Sequence, residues 1–365
     1  MRTRILSLVA VLICGLPSYG VEYQFLDLGN LKGKEDNTQK AHSAALGISG
    51  DGTAVVGESL SLIGLGITRG NEAFRWTQST GMQGLDSLPT GEAPFFSAAW
   101  DAADQGTVVV GESHTDKGRQ AFRWLHSSGK MSSLGTLPEH NESVAYGVSG
   151  DGRVIIGVSR GPGTRFAFRW TEQRGMESLG DLPGGRDDST ARAISHDGST
   201  VVGYGTGSAG VEAFLWTVDS GIVRLGDLAG GRIWSAAFGV SRDGSVIVGQ
   251  SSSAAGKEAF RWTESSGMQG LGDLPEGEFA SSASAVSGDG ATIVGQASSA
   301  AGTEAFVWTA ESGLQRLGDL LKTTPAAEGW RFSEARDISD DGTVLVGTGL
   351  NAKGEDAAWL VRIRR

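Results

Sequence analysis

Gly157-Val158-Ser159-Arg160-Gly161 has the spacing of a nucleophile elbow, G-x-S-x-G, which exposes a serine on a tight strand-to-helix turn. Here the serine ends a short apolar run that leads into a loop, so the exposing turn is missing and the match is read as fortuitous. The five histidines, His42, His114, His126, His140 and His196, show no H-E-x-x-H or other ligand spacing, and no metal or cofactor site is expected. Residues 337–342, D-I-S-D-D-G, suggest a calcium loop but lack its full ligand series and downstream Glu. Asn141-Glu142-Ser143 fits a glycosylation acceptor.

Recognition is the better-supported chemistry. Phe96, Phe279, Trp234 and Trp330 lie in connecting segments with Arg232, Arg331, His140 and Glu142. Indole rings beside arginine and carboxylate suit a sugar, which stacks on the ring and hydrogen-bonds to the polar groups. They suit a protein partner equally, since Trp, Tyr and Arg dominate interface hot spots; the plainer reading is that the aromatics fill structural gaps. One position of a recurring segment also varies strongly: Leu46, Trp100, Tyr146, Arg192, Phe238, Ser284 and Arg336. The candidate ligand-binding residues are therefore Trp234, Trp330, Phe96, Phe279, Arg232, Arg331, Arg192, Tyr146, His140 and Glu142. Trp234 and Trp330 lead because they break the surrounding pattern. His140, Glu142, Tyr146 and Arg192 are also the set a glycan lyase or hydrolase would use, although no residue is assigned a catalytic role.

What positions these residues is a repeat. Ala-Phe-x-Trp ends at Trp76, Trp124, Trp170, Trp216, Trp262 and Trp308, 46 residues apart from Trp124 onward. The glycine of S-x-D-G falls at Gly52, Gly106, Gly152, Gly198, Gly244, Gly290 and Gly342, and only the copy at Gln105-Gly106 lacks the Asp. Each repeat resolves into four short runs, a to d. In the fifth they are residues 235–241, 245–249, 258–263 and 267–274. All have strand length and strand composition. Asp243-Gly244 predicts a tight a–b hairpin, and glycine interrupts the runs too often for helices.

Four antiparallel strands in about 46 residues is the size of one propeller blade. The expected fold is all-β: a seven-bladed β-propeller over residues 21–365, preferred to a parallel β-helix. The chain begins with a lone run d (23–31) and ends with a lone run c (356–363), so the N-terminal strand is expected to complete the last blade and close the ring. Phe260 and Trp262, two apart, share a face and should pack on the neighbouring blade. Strand a carries Ala45, Ala99, Ala145, Ala191, Ala237, Ala283 and Ala335, as crowding near an axis demands. The Ser and Asp of S-x-D-G should bond within their own turn. The a–b and c–d turns are uniform, whereas the d–a and b–c segments vary, so function is sought on the face that carries them. The first b–c segment, 58–72, reads as a long loop.

Arg2 and Arg4, the apolar run 5–16 and Ser18-Tyr19-Gly20 read as a secretory signal over residues 1–20. The only cysteine, Cys14, lies within it, so no disulfide is expected. Net charge is −11, and −13 without Arg2 and Arg4, which disfavours nucleic acid and anionic membranes as partners. No later apolar run is long enough to span a bilayer.

The repeated A-F-x-W, L-G-D-L-P-G-G and S-x-D-G units together resemble the extracellular HAF-repeat family of bacterial proteins, across nearly the whole of residues 21–365. The chain departs from the naming triplet, with Glu72, Gln120, Phe166, Glu212, Glu258 and Glu304 where His is expected. The resemblance implies a secreted repeat protein and brings no catalytic residues. The expectation is a secreted, monomeric, cofactor-free binding module for a carbohydrate or protein ligand. The alternatives are a carbohydrate-active enzyme on the same face and a structural envelope protein.

Overall fold

The computed structural model describes residues 21–31, 42–63, 68–89, 91 and 94–364, with backbone alone at 62, 63, 68 and 69. The expected signal and Cys14 lie outside the described residues, as does most of the first d–a step.

Each repeat folds as four consecutive antiparallel strands in the order a-b-c-d. Repeat 3 is representative: Glu142–Val148, Ile155–Gly161, Thr164–Thr171 and Gly175–Gly180. The sheets of repeats 4 and 5 touch through one parallel bridge, Val211 to Trp234. The last sheet takes three strands from the C-terminus, Arg331–Ile338, Val344–Leu350 and Asp356–Arg364. Its outer strand is Glu22–Asp27, paired antiparallel with Asp356–Arg364. The d–a segment between repeats 6 and 7 departs from the all-β pattern with a short helix, Leu317–Leu321, whose Leu317 and Leu321 are buried.

The packing explains the repeated residues. Phe74, Phe122, Phe168, Phe214, Phe260 and Phe306 are fully buried. Each joins a cluster with the preceding sheet: Phe260 packs with Val202 and Ala213, and Phe74 with Val346 and Leu360. Trp359 takes the Phe position in repeat 7. The seven strand-a alanines have no exposed surface, and each strand a packs on the next, that of repeat 7 on that of repeat 1.

A serine clip recurs between sheets. The hydroxyl of Ser97, at the start of strand a, accepts the Ala73 N–H of the preceding strand c at 2.9 Å and donates to the Asp86 carbonyl at 2.6 Å. Ser143, Ser189, Ser235 and Ser281 do the same one repeat on. Ser43 makes the same pair of bonds to Ala358 N–H and the Gly29 carbonyl, joining the first sheet to the last. A second series explains the G-x-S-x-G match. The Ser159 hydroxyl is buried and accepts the Leu137 N–H at 3.1 Å, as Ser59, Ser113 and Ser251 accept Leu31, Leu88 and Leu228. It is a linker tie and not an exposed nucleophile.

Two local readings change. In the S-x-D-G turn of repeat 5 only glycine takes a positive φ, +77° at Gly244, whereas the divergent copy in repeat 2 adds Gln105 at +59°. The loop is the four-residue turn closed by Gly244 N–H on the Ser241 carbonyl, because the Asp side chain prefers to accept from Ser241 and Ser245. The first b–c segment is largely strand: Ala54–Ile63 and Thr68–Thr77 continue the ladder past Glu58 to Ile63 opposite Thr68. Residues 64–67 lie outside the described residues.

Candidate functional site

In every strand a the ladder to strand b slips by one residue. Ala45 faces Gly57, then Gly47 faces Val56, leaving Leu46 as the extra residue of a β-bulge. The same slip isolates Trp100, Tyr146, Arg192, Phe238, Ser284 and Arg336. These are the seven members of the variable column. A bulge bends a strand and re-aims one side chain, and here all seven line one central cavity of about 520 Å³. The glycine of each V-V-G unit permits the arrangement. At Gly57, Gly249 and their counterparts a Cβ would overlap the strand-a carbonyl oxygen and crowd the buried aromatic ring.

The cavity wall has two halves. Across repeats 2 to 5 it is aromatic and cationic. Trp100 meets Tyr146 edge-on at 5.6 Å, and the Arg192 guanidinium lies 4.2 Å above Tyr146 and 5.9 Å from Phe238. Across repeats 6, 7 and 1 it is mainly polar, with Ser284, Gln296 and Arg336, the last paired with Glu334, beside Leu46. Buried polar atoms normally have partners. Arg192 Nε and Gln296 Oε1 on this cavity, and Thr348 Oγ1 on the adjoining one, have none.

The adjoining cavity, about 500 Å³, shares Leu46, Trp100 and Arg336 and opens toward the d–a and b–c segments of repeats 7, 1 and 2. It is acidic. Glu112 accepts the Trp100 indole N–H at 3.3 Å and pairs with Arg119 at 2.9 Å. Burial pushes the Glu112 carboxyl up, against the pull of Arg119. His42 lies 3.8 Å from Glu58 and 3.7 Å from Asp356. Glu58 above all holds its imidazole more basic than usual, burial opposing.

At the other end the x residues of S-x-D-G form a floor. Asp104, Gly150 and His196 each donate a backbone N–H to the next copy's carbonyl, at 2.9–3.2 Å; Gly288 donates to Asp340, and Asp340 to Gly50, at 2.8 Å. His196 Nε2 meets Asp104 at 3.0 Å, and Arg242 pairs with Asp340. Just above, Asp337 accepts Ile48 and Ile338 N–H at 2.8 Å, and Asp101 accepts Val148 and Ala102 at 2.9 and 2.7 Å. Burial drives the Asp337 carboxyl up to about 7. Burial first, then the charge of Asp337, holds Asp101 well above the usual carboxylate range. The carboxylates of 337–342 are thus committed separately, Asp341 to its own turn. Among the described residues no group of three or more His, Cys, Asp or Glu is placed to hold a metal ion.

Of the ten candidate residues, Tyr146 and Arg192 meet in the central cavity, and Phe96 lines the adjoining one, 4.8 Å from the His114 ring. Trp330 packs edge-on to Phe25 at 4.9 Å and stacks on Phe332, where the N-terminal strand joins the last sheet. It also lines a separate pocket of about 350 Å³ beside the helix. Trp234 is half-buried at the bridge between repeats 4 and 5, and Phe279 is half-buried with its carbonyl against Gly256. Arg232 and Arg331 are exposed, Arg331 donating to the Ala301 carbonyl at 2.7 Å. His140 stacks on Phe166, and its nitrogens meet Ser159 at 3.0 Å and Thr164 at 3.2 Å. Glu142 opens strand a of repeat 3 opposite Arg160. His140 and Glu142 therefore do not join Tyr146 and Arg192. A second variable column escaped the sequence reading: Glu58, Glu112, Val158, Tyr204, Gln250, Gln296 and Thr348 each follow a V-V-G-type glycine. Its variation inside a uniform strand was the available signal.

No family model matches the chain, and no curated protein matches it. Solved structures do resemble it. An oligogalacturonate lyase from Vibrio parahaemolyticus aligns over 94% of this chain and 98% of its own, at 10% identity and a TM-score of 0.56. A prolyl endopeptidase aligns over 89% of this chain at 11% identity and TM-score 0.57. An acylaminoacyl peptidase from Pyrococcus horikoshii aligns over 91% at 9% identity and TM-score 0.55. The chain spans about half the length of the two peptidases, 50% and 53%. At these identities the likeness is one of fold: an all-β, propeller-like array of four-stranded sheets.

Proposed function

We propose that the chain is a seven-bladed β-propeller whose central cavity binds a carbohydrate. Ring closure is supported by the clip from Ser43 to Ala358 and by the hydrogen bond from Asp340 to Gly50, which continue the sheet-to-sheet contacts from the last repeat to the first. One observation carries the functional reading. Seven strands that share a starting serine and a sealed alanine differ most strongly at the next residue, which a bulge turns into the cavity. A frame-only role would not need that position to change from tryptophan to arginine to serine. A wall with aromatic faces on one side and the polar side chains of Ser284 and Gln296 on the other matches a sugar ring, apolar on its faces and polar at its rim.

Residues 1–20 support export, to the periplasm or beyond, and the motif resemblance supports membership of the extracellular HAF-repeat group. No helix among the described residues is long and apolar enough to cross a membrane. The negative charge argues against nucleic acid, and the protein is read as a monomer with no cofactor. The test is a glycan array probed with residues 21–365, beside Trp100→Ala/Phe238→Ala and Trp234→Ala/Trp330→Ala variants. Binding lost only in the first variant supports the cavity. Binding lost only in the second moves the site to the outer segments. Silence throughout shifts the weight to a protein partner or a structural role. The reading as a carbohydrate-active enzyme uses the same cavity, and product analysis on any glycan that binds separates it from a binder.

A further inference from the structure

We infer that the central cavity recognises an acidic sugar, with the Arg192 guanidinium as anchor for its carboxylate; this rests on the reading of the cavity as a carbohydrate site. The other arginines around the two cavities are matched: Arg336 to Glu334, Arg242 to Asp340 and Arg119 to Glu112. Arg192 is the exception. Among the described residues it has no carboxylate partner, its Nε is buried without a hydrogen bond, and its only neighbours of note are the Tyr146 and Phe238 faces. Lys257, at the same cavity, also has no carboxylate partner among the described residues, but it is exposed to solvent. Arg192 is half-buried, and a half-buried ion without a partner loses part of its hydration without compensation. Cation–π contact offsets part of that loss and leaves the guanidinium's in-plane N–H donors available. Those donors match a carboxylate in a two-point contact, which an ammonium cannot copy.

The opposite wall of the cavity carries the polar side chains of Ser284 and Gln296. One ligand that brings a carboxylate for the Arg192 guanidinium and several hydroxyls for this polar wall fits the cavity, and a uronic acid unit has that composition. A neutral sugar would leave Arg192 unpaired. A small inorganic anion would leave both the polar and the aromatic wall uncovered.

The test is calorimetric titration of residues 21–365 with trisaccharides of galacturonic and of glucuronic acid, against the same trisaccharides as methyl esters. Esterification removes the charge and keeps the rings and hydroxyls. The expected result is at least ten-fold tighter binding of an acid than of its ester, with the preference falling as salt is raised. Arg192→Gln should abolish the preference, and Arg192→Lys should restore only part of it. Equal binding of acid and ester by the unaltered protein overturns the inference and leaves the cavity reading standing, provided that Trp100→Ala still weakens both. An acid preference that survives Arg192→Gln also overturns it. Failure of every acid and ester to bind overturns this inference, and the array then decides whether the cavity reading falls with it.

Discussion

At the residue scale, single hydroxyls tie neighbouring sheets. Ser43→Ala removes a buried acceptor from the Ala358 N–H and a donor from the Gly29 carbonyl. Leaving a buried amide unsatisfied costs about 1–3 kcal/mol, and chemical denaturation of the variant should register a loss of that size. Phe260→Ala, which empties a fully buried site, should cost about 3–5 kcal/mol. This scale also shows where sequence reasoning succeeds and stops. Trp234 and Trp330 stand out because they break the repeat, but irregular joints break a repeat as surely as ligand sites do. The structure puts one at a sheet-to-sheet bridge and the other in the Phe25–Phe332 packing. The variable column was visible at all seven positions, Tyr146 and Arg192 among them. Its direction was not, because strict alternation assigns side chains by twos and a one-residue bulge resets the count.

At the element scale, strand composition was enough to place strands a to d in order. The helix Leu317–Leu321 was not legible, because its L-G-D-L opening is the same phrase that elsewhere ends strand d. The V-V-G glycine explains the bulge only once its partner is known. Gly249→Ala would drive a methyl into the Ala236 carbonyl and the Phe260 ring; overpacking of this kind should cost about 3 kcal/mol. Gly267→Ala, at φ +66° with nothing within 4 Å, should cost only the about 1–2 kcal/mol of a left-handed residue. Thermal melts of the pair would separate steric overlap from backbone strain. The N-terminal strand contributes Phe25 to the cluster around Trp330, Phe332 and Trp359. Deleting residues 21–31 should therefore lower the melting temperature sharply, and an unchanged melt would count against closure by that strand.

At the scale of the whole molecule, charge makes stability depend on pH in two opposed ways. Asp337 and Asp101 have raised carboxyls, so the folded state holds their protons more tightly than the unfolded chain. For Asp337 stability then falls as pH rises from about 4 through about 7, and Asp101 acts in the same direction. His42, made more basic in the fold, loses its contribution in the same direction. The turn carboxylates behave oppositely. Asp197 is held low by the Ser195 hydroxyl and then Ser199, and Asp243 by Ser245 and then Ser241. Their contribution is complete above the ordinary carboxylate range and is lost as acid protonates them. The expected melting profile peaks at about pH 4 to 5. Asp101→Ala/Asp337→Ala should flatten its alkaline side, since Ala193 and Ala285 occupy the same position in repeats 4 and 6. An unchanged alkaline slope would remove these two carboxyls from the account.

The bulge has one more consequence, which concerns how such a protein can change. Residues that hold the frame and residues that face the cavity occupy different positions of the same short strand. Ala191 is sealed between sheets, and Arg192 beside it faces the cavity. On the proposed binding role, specificity is written in a separate alphabet from architecture. A library randomised at the seven bulge positions should yield mostly cooperative folders with altered ligand preference. The same randomisation one residue earlier, at the alanines, should yield mostly unfolded chains.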